Sequence, residues 1–190
     1  MRFHASSRAK LAAAFITISV ALSAVAGTLL KADTAKSSVG IVFKQLNVPV
    51  DAKFKNFTAQ IDYDAAKPEA SKATVEIDTR SFDLGDPDYN QEVAKKEWFN
   101  AAQFPKATFV STTMKAGAGG TLNVTGKLTI KGKTVDVGFP LTIKKSGTGT
   151  IFEGSLPIKR LTFNIGEGEW KDTGTVADEV TIKFHVVAMP

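Results

Sequence analysis

The side chains in this 190-residue chain that could do chemistry are few, and most are poorly placed to do it. There is no cysteine, which excludes thiol nucleophiles, disulfides, thiolate zinc sites and acylated lipoprotein anchors. Of the two histidines, His4 lies in an amino-terminal stretch read below as removable, and His185 alternates with Phe184 and Val186, which turns it outward. One outward imidazole makes neither a Ser-His-Asp triad nor a multi-histidine metal site. Asp83, Asp86 and Asp88 lack the spacing, glycine and terminal Glu of a calcium loop, and read as a solvated loop leading into a helix cap. Glu167, Glu169 and Asp172 flank Trp170 with the residue types of a sugar-cleaving carboxylate pair, but nothing fixes the separation such a pair needs. The chain has no GxxxxGK[ST] phosphate loop, and the GEG at 166–168 is too short for a nucleotide fingerprint. Arg160 is the exception. Counting Phe152, Leu156 and Ile158 as inward puts its guanidinium on the inner side near a sheet end, where it must be paired or wet: bound to a carboxylate such as Asp172, or set against the polar end of a ligand.

The elements that must position these residues are strands. With 43% hydrophobic and 23% charged residues the chain can bury a core, and beyond residue 26 its strong periodicity is two. Val39, Ile41 and Phe43 alternate with small or polar neighbours. Leu46, Val48, Val50, Ala52 and Phe54 continue after a phase change near Gln45 that predicts a bulge or bend on an edge. Phe57, Ala59, Ile61 and Tyr63 predict a second strand, and Ala73, Val75 and Ile77 a third. Leu122, Val124, Gly126, Leu128 and Ile130 run up to Lys131-Gly132, and Val135, Val137, Phe139, Leu141 and Ile143 return, the clearest hairpin in the chain. Strands through Phe152–Ile158 and Val180–Val186 close the series. One helix is predicted over 89–98, with Asp88 and Gln91 as a capping box, Lys95 and Lys96 in the last turn, and Trp98, Phe99 and Phe104 clustered before Pro105.

About eight strands in one domain hide their edges best by closing into an antiparallel barrel, with a two-sheet sandwich as the alternative. A barrel of this size is either filled by side chains or holds one apolar ligand, and its Val, Ile, Leu and Phe lining suits both. The first 26 residues read as a cleavable signal peptide: Arg2, Arg8 and Lys10, an apolar run, then an A-x-A site ending at Ala26, with an uncleaved anchor as the competing reading. Export predicts a periplasmic location in a bacterial cell. Without those three cations, 21 basic residues face 19 acidic ones, too even a balance for a nucleic-acid partner.

The order of these features resembles the YceI family of bacterial lipocalin-like, polyisoprenoid-binding proteins. The resemblance covers residues 37 to 187. It rests on SVGIVF at 38–43 followed by FKNF at 54–57, the Trp98-Phe99 pair before QFPKATF at 103–109, LNVTGKLTIKGKT at 122–134, RLTFNIG at 160–166 and VADEV at 176–180. Gln45 and Asn164 depart from the pattern, standing where many members have His and Gly. The resemblance implies an elongated eight-stranded antiparallel lipocalin-like barrel with a short helix near one end, a long isoprenoid inside, and no catalysis or cofactor.

A long apolar chain loses about 0.8 kcal/mol of favourable burial per exposed CH₂, so a carrier needs a deep apolar tunnel more than hydrogen bonds. The predicted tunnel is lined by Phe43, Phe54, Phe109, Leu128, Phe139, Leu141, Phe152 and Phe184, with Ile41, Ile130, Ile143 and Leu156 on the same faces. Trp98, Phe99 and Phe104 are predicted to guard one end, and Arg160, at or near a barrel end, and Phe163 are also among the predicted lipid-binding residues. The function so read is that of a periplasmic carrier for a polyprenyl lipid, quinone or prenyl phosphate. Its rivals are a carrier of other amphiphiles, such as fatty acids or fatty amides, and a hydrolase. Transient membrane contact and a homodimer are both compatible with the sequence.

Overall fold

Strands whose inward positions are apolar and outward positions polar must join or leave an edge, and here they join into one sheet that closes on itself. The computed structural model describes residues 27–190, so the signal peptide assigned to residues 1–26 lies outside the described residues. Eight antiparallel strands make the ring: β1 (Thr28–Ala32), β4 (Phe57–Tyr63), β5 (Lys72–Asp78), β7 (Lys106–Ala116), β8 (Leu122–Ile130), β9 (Lys133–Ser146), β10 (Gly149–Lys159) and β11 (Val176–Met189), which returns to β1. Closure leaves the ring no free edge.

One side of the wall has two tiers. The 14-residue β11 pairs with β1 only at Ala188 and Met189, and its other half pairs with β2 (Ser38–Gln45). Next to β2 stands β3 (Val48–Phe54), then the two-residue β6 (Phe82–Asp83). The β2–β3–β6 tier therefore extends the β1–β4–β5 tier towards one end of the barrel. It stops short of β7, and the gap is filled by α1 (Pro87–Ala94) and the turns after it. Phe99 packs there against Phe54 and Phe82, each ring at 5.9 Å.

Three sequence expectations change. The phase change near Gln45 is a hairpin turn, not a bulge: Leu46 and Asn47 both have positive φ, 50° and 64°, and Leu46 and Val48 are exposed instead of inward. The helix starts earlier and ends sooner than predicted. Asp86 caps it, accepting from the Asp88 and Tyr89 amides, Pro87 takes the first turn, and the chain leaves the helix at Lys95. Two ring strands, β1 and β7, carried no alternation strong enough to read. In β7 a register shift between Ser111 and Thr113 moves the inward set from Ala107 and Phe109 to Met114.

Two apolar clusters fill the interior. One, around Met114, Val124, Phe152 and Val186, lies at the β1 end; the other, around Phe82, Phe99, Leu156 and Phe163, lies at the α1 end. Phe109 and Phe139 pack against both.

Candidate ligand-binding cavity

Between the clusters the barrel is not filled. Phe109, Phe139 and Phe184 form a belt of rings at 5.5 and 5.4 Å. Glycines let two of them lie flat on the sheet: a Cβ at Gly126 would sit 2.5 Å from the Phe109 ring, and one at Gly154 2.6 Å from Phe184. These glycines sit mid-strand, where glycine is unfavourable unless another group approaches closely, and that was the legible signal for a contact the alternation alone missed. A cavity of about 270 Å³ runs along the belt. An apolar void of roughly 150 Å³ already accommodates a benzene ring, so this one has room for a branched hydrocarbon segment.

The wall is hydrocarbon almost throughout. It includes every predicted lining residue except three: Phe104, Ile143 and Phe163. Phe104 packs instead on the Lys131-Gly132 turn, Ile143 against the β1-end cluster, and Phe163, 1% exposed, inside the α1-end cluster. Alternation gives the face on which Ile143 lies but not the depth at which the lumen stops, while Phe104 and Phe163 lie in irregular segments that carry no alternation. Val39, Ile61, Met114, Val124 and Val186 complete the wall at the β1 end, where Met114 and Val124 are 2% exposed and seal it. At the α1 end the wall contains Gln45, Tyr89, Glu92, Trp98 and Trp170, and Tyr89 is 53% exposed. The cavity therefore opens between α1, the β2–β3 turn and the loop carrying Trp170. Trp98 and Trp170 pack with ring centroids 5.3 Å apart and planes tilted by 51°, so the two tryptophans belong to one mouth. The Trp98 indole nitrogen is buried with no hydrogen-bond partner among the described residues.

Two buried cations hold this mouth in shape. Arg160, 2% exposed, makes no ion pair with Asp172, whose carboxylate accepts from the Gly174 amide and the Thr175 hydroxyl. Its guanidinium donates to five backbone carbonyls: Ala177 from Nε, Ile165 and Gly166 from one terminal nitrogen, Trp170 and Val176 from the other, at 2.6 to 3.3 Å. All five N–H donors are used. Burial pulls the arginine pKa down, opposed by the Asp178 carboxylate. Gly166 must be glycine: its φ is +81°, and a Cβ would lie 2.0 Å from the guanidinium. Lys131, at the β8–β9 tip, donates to the Lys96 and Asn164 carbonyls and pairs with Glu167 at 2.8 Å with its own side chain 6% exposed. That lysine pulls the Glu167 pKa down, chiefly by the direct hydrogen bond. The lysine's role was not legible, because its partners come from two other loops.

The remaining candidates have structural partners. Asp83 binds Lys55 and Asn90 and the Gly85 amide, which lower its pKa to about 2. His185 faces outward and pairs with Glu153 at 2.7 Å. Among the described residues no cluster of His, Asp or Glu is arranged to hold a metal ion.

An eight-stranded antiparallel barrel, sealed at one end and open onto an apolar lumen at the other, is the class this geometry defines. The YceI-like domain model matches residues 30–188, and the chain belongs to that family. It is 32% identical over 141 residues to a UPF0312 protein of Ectopseudomonas mendocina, covering 70% of this chain and 71% of that one. With a UPF0312 protein of Pseudomonas savastanoi the match is 36% over 100 residues, about half the length of each. Among solved structures, Burkholderia cenocepacia BcnA is 54% identical, superposes with a TM-score of 0.81, and is covered over 99% of its length and 83% of this chain. A polyisoprenoid binding domain from Saccharophagus degradans, at 17% identity and a TM-score of 0.67 over 85% of this chain and 99% of that one, shares the fold.

Proposed function

We propose that this protein is a non-catalytic carrier that holds the hydrocarbon part of an isoprenoid lipid in its barrel, after export to the periplasm. The observation that carries the reading is the lumen: an apolar cavity of about 270 Å³, open at one end, whose walls offer van der Waals contact and almost no polar group. Each methylene taken from water into such a lumen contributes about 0.8 kcal/mol, so a prenyl chain is held by length, without directed bonds. One neighbour of the same fold is a polyisoprenoid binding domain, which supports the choice of ligand. A hydrolase reading finds little to use, since Glu167 and Asp172 are engaged in holding the mouth and His185 lies on the outer face.

Native mass spectrometry of the protein purified from cells that process its amino terminus tests the proposal. A co-purifying mass in the prenyl-lipid range is the expected result. A fatty acid or fatty amide in its place would overturn the isoprenoid assignment, and a ligand-free protein that turns over esters or glycosides would overturn the carrier.

A further inference from the structure

One carboxylate serves neither the lumen nor its mouth. Asp62 stands on the outer face of β4, between Ile61, which lines the cavity, and Tyr63. Its Oδ1 is shut off from water and has no hydrogen-bond partner among the described residues. A carboxylate oxygen without water needs a donor, and the neighbouring side chains supply none. Lys72 stands opposite Asp62 on β5, and Lys31 lies two places along β1 from its partner Leu29, yet neither bonds that oxygen. Asp64, the next carboxylate along the chain, is already occupied, its Oδ1 accepting from the Ala66 and Lys67 amides.

The group that does face the Asp62 oxygen is Gly27, one place before β1. A Cβ built on Gly27 would sit 2.2 Å from Oδ1, so only glycine allows the approach. A backbone nitrogen stands about 2.5 Å from its own Cβ position, which puts the Gly27 nitrogen within about 4.7 Å of the oxygen. As a peptide amide that nitrogen has one N–H, held in the peptide plane, and it does not bond Asp62. Gly27 is also the first residue left by the A-x-A cleavage read from the sequence. Hydrolysis of the Ala26–Gly27 bond by a signal peptidase takes up one water: Ala26 leaves as a carboxylate, and Gly27 keeps an α-ammonium. One fixed neutral donor becomes three charged donors that turn about a single bond.

We infer that Asp62 is the binding site for the chain's own processed amino terminus: the Gly27 ammonium pairs with the Asp62 carboxylate and fastens β1. This rests on the export reading above and adds a structural role for the cleavage. The place matters because β1 closes the ring. It is joined to β4 at four registered positions but to β11 at two, Lys31 with Met189 and Ala32 with Ala188. A precursor keeps the carboxylate oxygen without its counter-ion, so its β1 docks less firmly, and processing tightens the closure.

Two forms of the protein test this. One is the mature form purified from exporting cells, its first residue read by intact mass; the other keeps Ala24-Val25-Ala26 ahead of Gly27, which moves the ammonium as much as about 10 Å along the chain. The mature form should begin at Gly27, melt about 2 to 4 °C higher and exchange its β1 amides several-fold more slowly. Asp62→Asn should bring the mature form down to the extended one and erase the difference between them, because an uncharged side chain meets either terminus alike. Equal melting and equal β1 exchange in the two forms, or a difference that survives Asp62→Asn, would overturn the ion pair and leave export and carrier standing. A first residue other than Gly27 would remove the cleavage reading and this inference with it.

Discussion

The two ends of the barrel solve opposite problems. At the β1 end, Leu30, Met114, Leu122, Val124, Phe152 and Ala188 are all buried, and the side chains simply exclude water. At the α1 end the loops must stay apart to leave an opening, so hydrophobic collapse cannot organise them. Their shape is imposed by hydrogen bonds: Arg160 gathers five carbonyls, and Lys131 joins three segments. An end that must be shut is built from apolar packing, and an end that must remain open is built from buried cations whose donors are satisfied by backbone.

The largest effect should come from the sealed end. Leu122, 6% exposed in the β1-end cluster and off the cavity wall, sits in filled packing, so Leu122→Ala should lower unfolding free energy by about 2 to 5 kcal/mol in chemical denaturation. Phe139 borders the lumen and already lacks contacts on one side, so Phe139→Ala should cost roughly 1 to 2 kcal/mol. Equal costs would mean that the belt is packed like the seal and the cavity is not real.

Next in size is Arg160→Met, which strips the donor from carbonyls that are partly out of reach of water. A loss of about 2 to 3 kcal/mol is expected, with faster amide exchange over residues 165–177 before any change in β8 or β9. Arg160→Lys should not restore the protection, because an ammonium has three donors for five acceptors. Uniform loss of protection across the barrel would show that the arginine belongs to the core and not to the mouth.

Phe139→Trp tests the same contrast with little effect on stability. In a tunnel the larger ring projects into empty space, so the melting temperature should shift by no more than about 2 °C while prenyl-lipid binding disappears. Binding is read as the rise in melting temperature that a ligand of the folded state produces. A variant that melts far below the parent protein, in a protein that no prenyl lipid stabilises, would leave a closed barrel without a carrier function.

The smallest expected effect is local to α1. Asp83 ties Lys55 to Asn90 of the helix, and those contacts hold its pKa down at about 2. A carboxylate lowered on folding contributes its full stabilisation above the ordinary value near ~4 and loses it as pH falls towards about 2. The protection of α1 amides, taken relative to the intrinsic exchange rate at each pH, should therefore fall over that interval while β8 and β9, which contain no such pair with the helix, keep theirs. Asp83→Asn should lower α1 protection at neutral pH and remove most of its further fall between about 4 and about 2.

Much of the fold was legible because a strand with one wet face writes its burial into every second residue. The β8–β9 hairpin shows this best: Leu122 to Ile130 and Val135 to Ile143 alternate without interruption, and Lys131 and Gly132 take the positive φ of the turn, 48° and 75°. Where the chain departs from regular geometry, the same code misleads. The β7 register shift scrambles the alternation of a strand that forms part of the ring, and the Leu46-Asn47 turn looks in sequence like a slip within one strand. The lining of the cavity was largely readable as a face, but Ile143, on the right face and off the wall, shows that depth along the lumen was not.

The sequence by itself determined which faces are apolar and that the described residues make an antiparallel β-protein, because side-chain polarity and local turn chemistry are properties of neighbours along the chain, and the resemblance of its motifs pointed to YceI-like domains. Tertiary structure alone decided that the barrel is sealed at one end and open at the other, that Arg160 serves five carbonyls in place of a carboxylate, and that Trp98 meets Trp170. Those outcomes depend on groups far apart along the chain, 72 positions for Trp98 and Trp170, and such pairs meet only where the folded sheet brings them together. A residue's local sequence specifies the surface it presents; the closed sheet specifies what that surface faces.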